Sequence, residues 1–171
     1  RSSDLIPDLM TVAEYDKCVS QYSDNLYRFA LKSLRSDDEA KDIVQESFLR
    51  LWENREAVLS GKEKSYLFTV AYRLIVDRVR MGKRYTGDES VLRTSPAPGR
   101  PDYNGISELI DRFLDELPPL QKSLIMLRDY EGYSYREMAE MTRLSETQVK
   151  VYIFRARTAL RRIIGDINNI L

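Results

Sequence analysis

A Ser or Thr followed three residues later by Glu or Gln, just ahead of an apolar run, recurs along this chain. Thr11 pairs in this way with Glu14, Ser36 with Glu39, Ser134 with Glu137 and Ser145 with Gln148. At that spacing the hydroxyl accepts from the third backbone N–H of a helix, and the longer side chain reaches back to the backbone N–H of the Ser or Thr itself. Each pair therefore marks a helix start. The runs that follow repeat their apolar residues at helical rather than alternating spacing, so the chain reads as all-α with no strands of consequence.

In chain order, Thr11 opens a first helix towards Leu34, with Ser23-Asp24-Asn25 as the place where it would break. The helix after Ser36 carries a core stripe of Ala40, Ile43, Val44, Phe48 and Leu51. A third runs from about Glu63 to Met81, its buried stripe marked by Leu67, Val70, Ala71, Leu74 and Ile75. Residues 86–105 hold three of the six prolines, three of the seven glycines and almost no periodic apolar residues, the composition of a flexible linker. They separate two small helical domains, 1–85 and 106–171. In the second, Ile106 to Leu117 form one amphipathic helix that Pro118-Pro119 ends. Pro119 starts the next, which runs to Tyr130 with Gly132 as its C-cap. A short helix after Ser134, a turn over Thr142-Arg143-Leu144 and a longer helix after Ser145 then make a helix-turn-helix.

That last helix is the most informative. Val149, Tyr152, Ile153, Ala156, Leu160, Ile163 and Ile164 define its buried face. Lys150, Arg155, Arg157 and Arg161 lie opposite, with no acidic residue between Glu146 and Asp166, and Val151 and Phe154 share their side. Cations for phosphates and apolar groups for thymine methyls are what a helix in a DNA major groove presents. A basic amphipathic helix on an ordinary domain surface is the plainer alternative.

The remaining chemistry narrows the field. Lys and Arg number 27, as do Asp and Glu, so the net charge is zero, yet the charges are segregated. Residues 37–56 and 108–140 lean acidic, 62–84 and 147–165 basic, which points to separate binding surfaces. Tyr66, Phe68 and Tyr72 interleave with Arg73, Arg78, Arg80, Lys83 and Arg84, a mixture suited to unstacked bases and phosphates; a core role for the aromatics is the rival reading. On the helix after Ser36, Leu49 and Trp52 stand among Asp42, Gln45, Glu46 and Glu53 as a candidate partner patch, unless Trp52 folds back on its own domain. There is no histidine, a single cysteine (Cys18) and no glycine-rich phosphate loop. Neither an enzyme, a bound metal nor a cofactor is expected, nor a small-molecule substrate. The lone cysteine fits a reducing compartment, no run is apolar enough to span a bilayer, and no secretory signal is seen, so the expected location is cytoplasmic.

Three stretches carry a resemblance. LDELPPLQKSLIMLRDYEGYSYREMAEMTRLSETQVKVYIFRARTAL is similar to the last conserved region of bacterial RNA polymerase sigma factors, sigma-70 family, of the extracytoplasmic-function (ECF) group. DDEAKDIVQESFLRLWE resembles the helix by which their first domain grips the polymerase, and KSYLFTVAYRLIVDRVRMGKR resembles their promoter-melting segment. The resemblance implies sigma domain 2 over 1–85 and sigma domain 4, a helix-turn-helix (winged-helix-like) domain, over 106–171. It also implies promoter-specific transcription initiation. Asp42, Gln45, Glu46, Leu49 and Trp52 would then lie against the β′ clamp helices of core RNA polymerase, whose β flap is the other implied contact. Tyr66, Phe68, Tyr72, Arg73, Arg78, Arg80, Lys83 and Arg84 would engage the −10 element by capturing flipped-out bases. Glu146, Thr147, Lys150, Val151, Phe154 and Arg155 would face the −35 element of promoter DNA, with Arg157 and Arg161 on phosphates. Many relatives are held by an anti-sigma factor, a further implied partner.

The sequence departs from that pattern at Arg143, in a turn where glycine is frequent, and at Val151 and Tyr152. Valine cannot hydrogen-bond a base edge, so preference there would rest on methyl contact or shape. A ligand-responsive helix-turn-helix regulator acting as a dimer is the alternative function, but it leaves the aromatic-basic cluster of residues 66–84 without a role.

Overall fold

The computed structural model describes residues 9–86 and 105–170, excepting the side chains of 83–86, 106–107 and 166–170. The secondary structure among them is entirely helical. α1 (Val12–Leu34) is fixed at its start by Thr11 and Glu14, whose reciprocal bonds each measure 3.1 Å. It runs without the break expected at Ser23-Asp24-Asn25. The Ser23 hydroxyl is spent on the Val19 carbonyl and Asn25 accepts from Arg28, so neither competes for the backbone, and Leu26 is buried just beyond. Arg35 closes the helix in a left-handed conformation (φ 56°), with its N–H on the Leu31 carbonyl.

α2 (Asp37–Glu53) starts on Ser36, which accepts from the Glu39 N–H, but the Glu39 carboxylate turns away to Arg78. α3 (Glu63–Thr86) is longer than expected and takes in the basic segment as continuous helix. Leu26, Phe29, Ala30, Ile43, Leu51, Leu67, Phe68, Ala71 and Ile75 fill the space between these helices.

α4 (Gly105–Asp115) is followed by α5 (Pro119–Ile125), with Pro119 in its first turn as anticipated. The helix expected to run regularly to Tyr130 widens into a π-helical turn over Met126–Tyr130, and Gly132 (φ 75°) then reverses the chain. α6 (Tyr135–Thr142) and α7 (Glu146–Ile170) form the helix-turn-helix. The capping box of α7 is complete: Gln148 N–H donates to Ser145 (3.0 Å) and Ser145 N–H to Gln148 (2.9 Å). Arg143 adopts the left-handed conformation (φ 61°) that glycine would take without cost. Of the residues read as linker, Thr86 and Gly105 belong to helices; the rest lie outside the described residues.

The two helical groups are packed on each other. α1 and α3 lie against α5 and α6, and Phe68 contacts both Phe29 and Tyr133, at ring-centroid separations of 5.4 and 6.3 Å. The Ser33 and Ser123 hydroxyls meet at 2.8 Å in the buried seam. Across it run Arg35 to Asp115 (2.8 Å), Lys32 to Asp111 (3.0 Å) and Lys64 to Glu131 (2.9 Å).

Lys122 is buried in α5 near Asp115 and Arg35. Burial lowers its ammonium to about 8, aided by Arg35 and opposed by Asp115. A folded-state value below the free one means that the unfolded chain binds more protons between about 8 and 10.5. Stability at this site therefore rises with pH through that window and is penalised below it. Lys122→Met should remove a penalty on the order of 1–3 kcal/mol at pH 7. Thermal unfolding across pH 7.5–9.5 checks it: the variant should melt higher, with a flatter pH dependence than the parent.

Candidate nucleic-acid interface

α7 is held by its buried edge, with Val149, Ile153 and Ala156 packed against α5 and α6. That fixes the direction of the opposite edge. Glu146, Thr147, Lys150, Val151, Phe154 and Arg155 are all exposed and lie on adjoining turns. Val151 is 40% and Phe154 68% exposed, so the apolar pair does stand among the charges. Lys150 has Glu146 one turn behind it and Tyr135 of α6 beneath it, 5.7 Å from its ammonium. Tyr135 is also covered by the Arg128 guanidinium (4.4 Å), which ties the π-helical turn to the start of α6.

One expectation for α7 needs correction. Ile164 is exposed rather than part of the buried face, because the helix outruns the body it packs on. Arg157 is only half-exposed and donates to Asp129 at 2.9 Å, a bond that also raises its guanidinium pKa. It anchors α7 to the π-helical turn, and any phosphate contact would compete with that pair.

The residues singled out on α3 do not form one patch. Tyr66 and Arg73 line a cleft of about 650 Å³ between the end of α2, the 54–62 connection and the first half of α3. Arg50, Asn54, Leu59, Lys62 and Thr69 complete its walls. The Tyr66 hydroxyl donates to the Arg50 carbonyl (3.3 Å) at its back. Phe68 and Tyr72 point the other way and are buried, which overturns their placement on an open nucleic-acid surface. Spacing is the reason: positions 68 and 72 continue the buried stripe through 71 and 75. Burial raises the Tyr72 phenol to about 12, with Tyr152 of α7 adding to the shift. Burial also lowers the Arg73 guanidinium, and Arg143 of the turn repels it. Arg78 is paired with Glu39 (3.7 Å) and Arg80 is exposed; the Lys83 and Arg84 side chains lie outside the described residues.

On α2, Asp42, Gln45 and Leu49 form an exposed strip, Leu49 being 48% exposed. Glu46 beside them is paired with Arg50 (2.8 Å). Trp52 is half-buried: it meets the Tyr15 ring at 5.1 Å and lies under the Arg55 guanidinium at 4.1 Å. It thus closes over its own domain while keeping an edge in the strip. The cleft residues Asn54, Leu59 and Lys62 were missed from sequence, because the 54–62 connection has no periodicity. The seam residues Ser33, Lys122, Ser123 and Tyr133 were missed too, since contacts between residues far apart in the chain leave no local pattern.

These features define a helical protein with a helix-turn-helix whose α7 edge exposes cations and apolar side chains, and with an exposed acidic-apolar strip on α2. Residues 18–85 match the family Sigma-70 region 2, and residues 107–160 match Sigma-70, region 4. The chain is 31% identical over 147 residues to the RNA polymerase sigma factor SigV of Bacillus subtilis (strain 168), covering 84% of this chain and 87% of that one. It is 26% identical over 152 residues to the ECF RNA polymerase sigma factor SigM of the same organism, with 86% and 93% covered. Its fold is similar to that of the sigma factor RpoE in complex with the anti-sigma factor NepR from Bartonella quintana, at a TM-score of 0.72 and 21% identity over 90% of this chain and 98% of that one. It is also similar to CnrH in complex with the cytosolic domain of CnrY (TM-score 0.62, 19% identity, 91% and 90% covered). The chain belongs to the extracytoplasmic-function RNA polymerase sigma factors and serves in transcription initiation. No helix among the described residues is long and apolar enough to cross a membrane.

The two exposed-aromatic expectations now separate cleanly. Phe154→Ala should change stability by no more than about 0.5 kcal/mol while weakening duplex DNA binding. Phe68→Ala should cost about 3–5 kcal/mol of stability. Chemical denaturation of both variants beside gel-shift titration on promoter duplex decides between surface and core roles.

Proposed function

We propose that the chain works as a two-point promoter reader, with sigma domain 2 over 1–85 and sigma domain 4 over 106–171. The α2 strip of Asp42, Gln45, Glu46, Leu49 and Trp52 docks on core RNA polymerase at the β′ clamp helices, and the second domain meets the β flap. The exposed edge of α7 enters the major groove of the −35 element. Val151 and Phe154 contact base methyls there, Lys150 and Arg155 reach base edges or phosphates, and Glu146 and Thr147 lie at the helix start. The observation that carries this reading is the apolar pair standing exposed among cations on a helix whose other edge is packed at Val149, Ile153 and Ala156.

At the −10 element the surface is the cleft lined by Tyr66 and Arg73, with Arg78, Arg80, Lys83 and Arg84 following the backbone along α3. A cleft of about 650 Å³ has room for an unstacked base, and its tyrosine and arginine offer a stacking face and a cation. Melting draws on base capture and polymerase contacts, a few kcal/mol per unstacked base, and needs no ATP hydrolysis. The protein carries out no catalysis of its own and acts in the cytoplasm. An anti-sigma factor is a fitting further partner, since solved proteins of this fold, RpoE and CnrH, are seen in complex with NepR and the cytosolic domain of CnrY.

Run-off transcription with purified core polymerase tests the whole reading. Adding the chain should create a defined start site on a subset of promoters; unchanged promoter choice would refute it. Within that assay, Lys150→Ala and Arg155→Ala should alter discrimination at particular −35 positions by roughly 1–3 kcal/mol. Equal losses on every sequence would reassign both residues to phosphate binding.

A further inference from the structure

Tyr66, Thr69 and Arg73 stand three and four residues apart, so they share one edge of α3 and line the cleft together. Most of the polar groups around them are already committed. The Tyr66 hydroxyl and the Asn54 amide both donate to the Arg50 carbonyl, at 3.3 and 2.9 Å, and the Thr69 hydroxyl donates to the Ser65 carbonyl at 2.7 Å. Those bonds fix the walls but leave little with which to tell one base from another. Tyr66 and the exposed Leu59 add apolar surface, which suits every base alike.

Arg73 is different. Its Nε is buried and has no hydrogen-bond partner in the folded chain, and a buried donor left in that state calls for one. The walls do not supply it in charged form: none of the residues lining the cleft is acidic, and Arg143 of the turn repels the guanidinium. A guanidinium carries only donors, in a planar fork that fits two acceptors side by side. Two of the four DNA bases offer such a pair, guanine through O6 and N7 and cytosine through N3 and O2. Adenine sets its amino donor beside N1 and N7, and thymine separates O2 from O4 by an N–H.

We infer that Arg73 makes the cleft selective for a guanine or a cytosine among the unstacked bases of the −10 strand, reading the paired acceptors through its guanidinium fork. This rests on the assignment of the cleft to the −10 element proposed above. Adenine would press an amino group on a side chain that has no acceptor to offer, leaving donors on both sides unpaired. A phosphate contact, the rival role for an arginine here, is blind to the base.

The test uses the full chain bound to core polymerase and a promoter that it transcribes. Fluorescein-labelled single strands spanning the −10 element carry each of the four bases at each position in turn. The parent should show a position at which guanine or cytosine binds at least fivefold tighter than adenine or thymine. Arg73→Lys keeps the charge and loses the fork, so the preference at that position should fall below twofold. Arg73→Gln presents a donor beside an acceptor, the pair that fits adenine, and should make adenine the preferred base there and nowhere else. Equal weakening at every position and base, with the salt slope reduced by about one, would make Arg73 a phosphate contact and overturn the selectivity. A preference that survives both substitutions, or a parent that favours adenine or thymine at the position they affect, would overturn it too. Circular dichroism identifies a variant that fails to fold, and the other variant then decides. If the complex captures the −10 strand no better than an unrelated strand, the failure belongs to the assignment of the cleft instead.

Discussion

Phe68 bridges the two helical groups at the centre of their seam. Fully buried, it packs on Phe29 of its own helical group and on Tyr133 of the other, so the two groups share a single hydrophobic core. An aromatic ring removed from water on both sides contributes a few kcal/mol, a large fraction of the margin by which any domain is stable. The surroundings of that contact oppose it. A buried ammonium, a buried phenol without a partner and facing guanidinium groups offset much of what the apolar contact supplies. The join is central in position but modest in strength.

The same balance explains how a chain of zero net charge can bind DNA. The acidic blocks visible in the sequence find intramolecular partners: Glu39 with Arg78, Glu46 with Arg50, Glu131 with Lys64 and Asp129 with Arg157. The carboxylates of Glu39, Glu46 and Asp129 are well exposed, so each of those pairs is worth only about 0–1 kcal/mol. Net charge counts these carboxylates in full, whereas the local field at α7 is set by Lys150, Arg155 and their neighbours.

What could be read from the sequence was local. Capping pairs placed the helix starts, and the apolar spacing of α7 separated Val149, Ile153 and Ala156 from Val151 and Phe154 correctly, because a helix has one period and a packed edge obeys it. Errors arose where a position satisfies more than one pattern. Positions 68 and 72 fit an outer aromatic-basic stripe as well as they fit the inner one, and only packing by Phe29 and Tyr133 decides. The break expected in α1 followed the propensities of Ser23, Asp24 and Asn25, which buried Leu26 and Phe29 override. Arg143 left two outcomes open, and the left-handed one won because both helices it joins are anchored elsewhere. Contacts such as Ser33–Ser123, between residues far apart in the chain, leave no periodic trace at all.

The π-helical turn shows how the two ends of the second domain are coupled. One extra residue in the last turn of α5 swings Asp129 towards α7 and Tyr130 towards α1. Asp129 there receives Arg157, and the Tyr130 ring lies under the Lys32 ammonium at 4.9 Å. A regular α-helix would rotate positions after the insertion by about 100° and could not serve both neighbours at once. The widened turn therefore sets the angle at which α7 is presented to DNA and, in the same few residues, one edge of the seam on α1.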